Sequence, residues 1–217
     1  MAKVTRDETL ANVASIVEAT ALPVSADLEN GFSDSPETAA ETVLLAAKTG
    51  LCGGSIEDAT GHPEDPIYPF DLAVRRVRAA VKAARSLPIP FMLTARAENF
   101  LKGRPDMDDT IRRLVAFAEA GADVLFAPGI RTAEEISAVV KAVAPRPVNV
   151  IMGLAGSQLT LKDLGALGVR RVSLGSSLAR AAYGAFLHAA EEVQQKGTFT
   201  FADDAVPYST FNSILGK

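Results

Sequence analysis

Apolar residues recur along this chain in two rhythms. Short runs bounded by Pro or Gly read as buried strands: Leu22 to Ala26, Gly53 to Ile56, Ile89 to Thr94, Ala122 to Ala127, Pro147 to Met152 and Val169 to Leu174. Between them the apolar positions take up helical spacing. Thr5 to Glu8 forms a capping box, opening a helix with an apolar stripe at Leu10, Val13, Ile16 and Val17 that runs to about Thr20. Ser35-Pro36-Glu37 supplies an N-cap and an N1 proline for a second helix, and Gly50 is its stop signal. Phe70 to Arg85 is an amphipathic helix whose five basic residues are assigned to a solvated face. Further helices are expected over Met107 to Ala120, closed by Gly121, and from the capping box Thr132 to Glu135 to about Val143. Thr160 to Asp163 opens a short one, and Leu178 to Gln195 forms the last.

Alternation of strand and helix predicts an α/β fold with a parallel sheet, in which the C-terminal strand ends form the working face. The pattern contains six such units and begins on a helix, whereas a closed (β/α)8 barrel uses eight strands. An open or incomplete barrel is therefore expected, as one domain over residues 1–217. The tail 198–217 carries Phe199, Phe201, Val206, Phe211, Ile214 and Leu215, which suggests a packed or subunit-crossing helical segment. Two connections exceed the usual ~2–6 residues, Ala59 to Pro69 and Asn99 to Asp106, and both leave the working face, where long loops act as lids.

Charge narrows the partners. With 22 Lys and Arg against 26 Asp and Glu, the chain has no basic footprint for nucleic acid or for an anionic membrane. No stretch reaches the ~18 apolar residues of a membrane span, and the first residues lack the apolar core of a signal peptide, so a cytoplasmic protein with a small-molecule partner is expected. The single cysteine, Cys52, has no Cys or His at metal-site spacing and reads as a buried thiol.

Chemistry concentrates at three strand exits: Asp27-Leu28-Glu29, Glu57-Asp58 and Arg96-Ala97-Glu98. Asp27 and Glu29, two apart, point to the same face, and Glu57 takes the matching place on the next strand, about 4.8 Å away. Clustered carboxylates repel and need a cation, and a hydrophilic rim of this kind suits Mg²⁺, which keeps several waters and takes few direct protein ligands. Arg96 is the expected anchor for a substrate carboxylate, since its guanidinium binds bidentately and stays charged. Asn149 within an apolar strand is a candidate donor to a carboxylate or enolate oxygen, and His62 in the first long loop a candidate acid or base.

Ala26-Asp27-Leu28-Glu29-Asn30-Gly31-Phe32, Gly54-Ser-Ile-Glu57-Asp58, Thr94-Ala-Arg96-Ala-Glu98 and Pro147-Val-Asn149-Val, in this order, resemble the isocitrate lyase and phosphoenolpyruvate mutase superfamily. The resemblance runs through nearly the whole chain. It implies a TIM-type (β/α)8 barrel fold assembled as a homo-oligomer, dimer or tetramer, with the last helix exchanged between subunits. It implies Mg²⁺, with Mn²⁺ as a substitute, on Asp27 directly and on Glu29 and Glu57 through water, and a substrate gripped by Arg96; Glu98 and Asn149 are further candidate substrate-binding residues. The implied chemistry makes or breaks a C–C or C–P bond beside a 2-oxo acid through an enolate; the substrate is then a small 2-oxo or 2-hydroxy carboxylic acid. Family lyases that cleave isocitrate or methylisocitrate carry a catalytic cysteine in a Lys-Lys/Arg-Cys-Gly-His loop. The corresponding Asp58-Ala-Thr-Gly-His62 keeps only Gly-His, which argues against those two activities. The family's first two βα units, with a Ser-Gly turn that cradles the substrate, have no counterpart in the sequence, whose first strand matches the family's third. Two alternatives accompany the lyase or mutase reading: an oxaloacetate-type hydrolase, and a shortened, weakly active relative that serves as a binding or structural remnant.

Overall fold

The computed structural model describes residues 4–153, 156 and 158–216. The chain divides into a larger compact unit ending at Ser173 and a smaller one beginning at Leu174. In the larger unit, helix α1 (Arg6–Glu18) precedes five βα repeats and a sixth strand: β1 (Ser25–Asp27), α2 (Pro36–Lys48), β2 (Gly53–Glu57), α3 (Phe70–Arg85), β3 (Met92–Arg96), α4 (Met107–Glu119), β4 (Val124–Phe126), α5 (Ala133–Val143), β5 (Val148–Ile151), α6 (Leu161–Ala166) and β6 (Arg171–Ser173). The smaller unit holds α7 (Ser177–Lys196), a 3₁₀ turn (Thr200–Asp204) and α8 (Tyr208–Leu215). No helix among the described residues is long and apolar enough to cross a membrane.

Helix starts follow their local chemistry. Thr5 with Glu8, Thr132 with Glu135 and Thr160 with Asp163 each form a reciprocal capping box, and Ser35 accepts from the amides of Glu37 and Thr38 ahead of Pro36. The strands are shorter than the apolar runs suggest. Leu22 and Ile89, at the starts of two of those runs, are exposed, and pairing begins only at Ser25 and Met92.

All strands are parallel in the order β1-β2-β3-β4-β5-β6, and no pairing joins β1 to β6 among the described residues. The sheet is curled into an incomplete barrel. Arg171 on β6 donates to Thr94 Oγ1 on β3 at 3.2 Å, a crossing of three strand spacings that an arginine could not span over a flat sheet. Side chains alternate between the two faces. Ile56, Leu93, Ala95, Leu125, Val148 and Val150 are fully buried in the apolar core shared with the helices. The opposite, concave face carries Ser55, Glu57, Thr94, Arg96, Asn149 and Arg171, and is polar.

Two features depart from the sequence reading. Arg76, grouped there with the solvated basic face of α3, is 1 % exposed. Cys52 is half-buried, with its Sγ 3.2 Å from the Val24 carbonyl oxygen.

On α4, Asp109 accepts from Arg113 Nε at 2.7 Å and from Asn99 Nδ2 at 2.9 Å, and it also pairs with Arg112. Partial burial opposes its ionisation, but hydrogen bonds from Arg113, Arg112 and Asn99 outweigh this and hold its pKa down at about 2. A folded-state pKa below the unfolded value of ~3.9 gives stabilisation that is full at higher pH and lost as pH falls through the folded value. Asp109→Asn should therefore lower the melting temperature at neutral pH, with the gap to wild type closing as pH drops from about 4 towards 2. A gap of constant size across that range would contradict the assignment.

Candidate active site

Register sets the site. Asp27, Ser55, Thr94 and Val124 lie level on successive strands, and one step above them Glu57, Arg96, Phe126, Asn149 and Arg171 form a second row. In parallel strands level residues share a face, so Glu57 and Arg96 stand side by side at their strand ends. The Arg96 guanidinium is engaged on every nitrogen. Nη1 pairs with Asp27 Oδ2, Nη2 lies 3.1 Å from Glu57 Oε2, and Nε and Nη2 both lie 2.8 Å from Glu98 Oε1. The Phe126 ring adds a cation–π contact, with Cζ 5.4 Å from its centroid.

Three carboxylates thus share one positive charge, and the Glu29 carboxylate adds repulsion at Glu57. Burial opposes the Arg96 charge, but Glu98, Asp27 and Glu57 outweigh it and leave the arginine pKa above its ordinary value. The carboxylates are not all satisfied in return. Burial pushes the Glu57 pKa up to about 8, Arg96 offsets only part of this, and Glu98, Asp27 and Glu29 add repulsion. Glu98 is raised as well, chiefly by burial. The cluster is short of positive charge.

The predicted residues fall into distinct environments. Asp27 is the open one, with its side chain 55 % exposed; its Oδ1 accepts from Ser55 Oγ at 3.2 Å and from the Glu29 amide at 3.0 Å. Glu29 is exposed and lines a cavity of about 240 Å³ together with Glu57, Gly61, His62, Pro63, Pro66 and Lys102. His62, itself exposed, is therefore brought to the two glutamates. Glu98 is 1 % exposed behind Arg96, so it holds the guanidinium rather than facing the cavity. Asn149 lies two strands from Arg96; its Nδ2 donates to Ser173 Oγ at 3.0 Å, and its buried Oδ1 has no hydrogen-bond partner. Among the described residues no three carboxylate, histidine or cysteine side chains converge closely enough to form a coordination sphere of their own.

Sequence reasoning singled out Asp58 but missed its partner Arg113, which supports this cluster. Asp58 is buried and pairs with Arg113 of α4 at 3.0 Å, while its other oxygen accepts the Glu98 amide at 2.8 Å. Arg113 also donates to the Tyr68 carbonyl at 2.9 Å, and so ties α4 to both ends of the 59–69 loop. A signal for Arg113 did exist. It sits on the stripe of Thr110, Leu114 and Phe117, all buried, as Arg76 sits on that of Ala73, Val77 and Ala80. Lys102, which lines the cavity, offers no such pattern.

The chain belongs to the phosphoenolpyruvate phosphomutase family, whose sequence profile matches residues 1–194. It is 32 % identical over 193 residues to an uncharacterized protein of Mycobacterium tuberculosis strain H37Rv, covering 88 % of this chain and 68 % of that one. It superposes with a TM-score of 0.95 on the crystal structure of a protein assigned as a lyase/mutase from Burkholderia cenocepacia J2315, at 59 % identity over 99 % of this chain and 77 % of that chain. A phosphonopyruvate hydrolase in complex with oxalate and Mg²⁺ superposes with a TM-score of 0.82 at 25 % identity, over 99 % and 76 % of the two chains.

Because Asp58 and Arg113 bury opposite charges together, removing one strands the other. Arg113→Met should cost about 3–5 kcal/mol in denaturant unfolding at neutral pH. A loss below about 1 kcal/mol would show that this pair is not a support of the site.

Proposed function

We propose that this protein is a Mg²⁺-dependent enzyme that makes or breaks a C–C or C–P bond beside the oxo group of a small 2-oxo or 2-hydroxy carboxylic acid. One observation carries the reading: Asp27, Glu57 and Glu98 gather around the single guanidinium of Arg96 at the C-terminal ends of three adjacent parallel strands, and Glu29 lines the same cavity as Glu57. Such a donor set, all oxygen and short of positive charge, fits a hard divalent ion. Asp27, the open carboxylate, would bind it directly, and Glu29 and Glu57 through water, as suits an ion that retains most of its hydration shell. Mn²⁺ satisfies the same oxygen donors. When bound, the ion supplies Lewis-acid stabilisation of developing negative charge on the substrate oxygens.

The chain's own residues do the rest. Arg96 keeps Nε and Nη2 on Glu98 and Glu57, and turns Nη1 from Asp27 to the substrate carboxylate. Glu98 positions Arg96 rather than touching substrate. The electron pair released as the bond beside the oxo carbon breaks is held as an enolate by fixed donors, with Asn149 among the candidates. His62, on the exposed loop beside Glu29, returns a proton to the enolate carbon. Likeness to the phosphonopyruvate hydrolase supports a hydrolytic version of the same enolate chemistry, in which water takes up the departing group. The exposed apolar residues Leu178, Tyr183, Phe186, Tyr208, Phe211 and Ile214 of the smaller unit support a homo-oligomer in which the segment after Lys196 packs on a second subunit.

Calorimetric titration with Mg²⁺ should give a binding heat that Asp27→Ala abolishes; equal binding in both would overturn the metal assignment. Oxalate or pyruvate should raise the melting temperature only with Mg²⁺ present, and a shift of the same size without the ion would exclude a metal-dependent substrate site.

A further inference from the structure

The loop between β1 and α2, residues 28–35, carries Glu29 and follows directly on Asp27. It is backbone-strained. Glu29 at φ 52° and Phe32 at φ 64° are the only non-glycine residues with positive φ among those described. Such a conformation persists only where its surroundings over-determine it. Gly31, at φ 76°, lies so close to α2 that an added Cβ would sit 2.9 Å from Ala39 Cα.

What holds this loop is a buried cation with no carboxylate partner among the described residues. Arg76 of α3 donates from Nη1 to the Ser33 carbonyl at 2.6 Å and from Nη2 to the Asn30 carbonyl, and its Cζ lies 4.3 Å from the centroid of the Tyr68 ring. Among the described residues it forms no salt bridge, Asp34 and Asp58 favouring its charge only from a longer range, and its Nε has no hydrogen-bond partner. A buried, unpaired charge is unfavourable, and Leu or Met would fill that stripe of α3 without desolvating a guanidinium. A planar fork, however, can grip two carbonyls three residues apart at once.

Tyr68 extends the grip. Its hydroxyl donates to Asp34 Oδ1 at 2.6 Å and accepts from Asn30 Nδ2 at 2.9 Å, while Asn30 Oδ1 accepts the Phe32 amide at 3.0 Å. Burial and the bond to Asp34 push the Tyr68 pKa up to about 12, so the hydroxyl remains a donor throughout the neutral range. Tyr68 is also the far anchor of the loop bearing His62. That loop folds back on itself through an antiparallel bridge between Ala59 and Ile67 and a bond from the Tyr68 amide to the Asp58 carbonyl at 2.8 Å.

We infer that Arg76 and Tyr68 form a positioning pair: they hold the strained 28–35 loop so that Asp27 and Glu29 present their carboxylates together, and they couple this loop to the His62 loop. The inference rests on the reading that these carboxylates seat a divalent ion. It adds to that reading two residues outside the acidic motifs, neither of which touches the ion or the substrate.

The test compares wild type, Asp27→Ala, Tyr68→Phe, Arg76→Lys and Arg76→Met by Mg²⁺ calorimetry, melting temperature and amide hydrogen exchange without metal. Tyr68→Phe keeps the ring and the fold, and should weaken Mg²⁺ binding about 10-fold, the lower end of the loss found when outer-shell partners are removed. Arg76→Lys should fall between wild type and Arg76→Met, and exchange at 28–35 and 59–67 should accelerate together in all three. If Arg76→Met does not fold, the other two variants still decide. Mg²⁺ affinity within twofold of wild type in folded Tyr68→Phe and Arg76→Lys would overturn the inference, as would faster exchange in only one loop. Loss of metal binding in none of the variants, Asp27→Ala included, would instead overturn the metal reading itself, and the exchange data would then decide the coupling of the loops on their own.

Discussion

A single guanidinium organises the concave face of this protein. Parallel register puts Arg96 beside Glu57, the curl of the sheet brings Asp27 within reach, and the turn after β3 folds Glu98 back onto the same side chain. One positive charge cannot neutralise this many carboxylates. The imbalance is tolerable only because the rim at Asp27 stays open to water while the deeper members, Glu57 and Glu98, are buried against their partner. Arg96 thus ties three strands together electrostatically at the end where their hydrogen bonding stops.

Around that cluster stand two buried arginines with different tasks. Arg113 neutralises Asp58, and through it fixes the backbone of Glu98. Arg76 forms no salt bridge among the described residues and grips backbone instead. Arg76 comes from α3 and Arg113 from α4, and they reach the segments that follow β1 and β2. A scaffold helix therefore sets the conformation of a working loop directly, with no intervening layer of packing.

Local features were legible in the sequence because their causes are local. Three capping boxes and the Ser35-Pro36 start lie where the residue types demand, and the six strands follow from the alternation of strand-like and helix-like runs. Strand limits were harder to read, since an apolar run marks burial and not pairing: Leu22 and Ile89 extend two runs beyond the ladder. At the site, Asp27, Glu57 and Arg96 lie on strands whose periodicity the sequence shows, whereas Glu29 falls beyond the end of β1 with φ 52°, where strand alternation no longer says which way a side chain points. The bonding could not be read in the sequence, because which carboxylate takes which guanidinium nitrogen depends on curl and on the return of the chain at Ala97. The buried arginines were hidden for another reason. Adjacent Arg75 and Arg76 look alike in composition, and only the phase of the helix, about 100° per residue, sends one away from the core and the other beneath a loop.

The segregation of the sheet's two faces has a consequence for how such a protein can change. Cohesion is concentrated on the convex side, where aliphatic residues interlock with helices, and the hollow side contributes polar groups whose partners are mostly one another. A substitution in the hollow can then alter which molecule is welcomed without opening a void in the oily layer, so selection can explore new reactions there at small risk of unfolding. Superposable proteins assigned as a lyase/mutase and as a phosphonopyruvate hydrolase are what such freedom would leave behind.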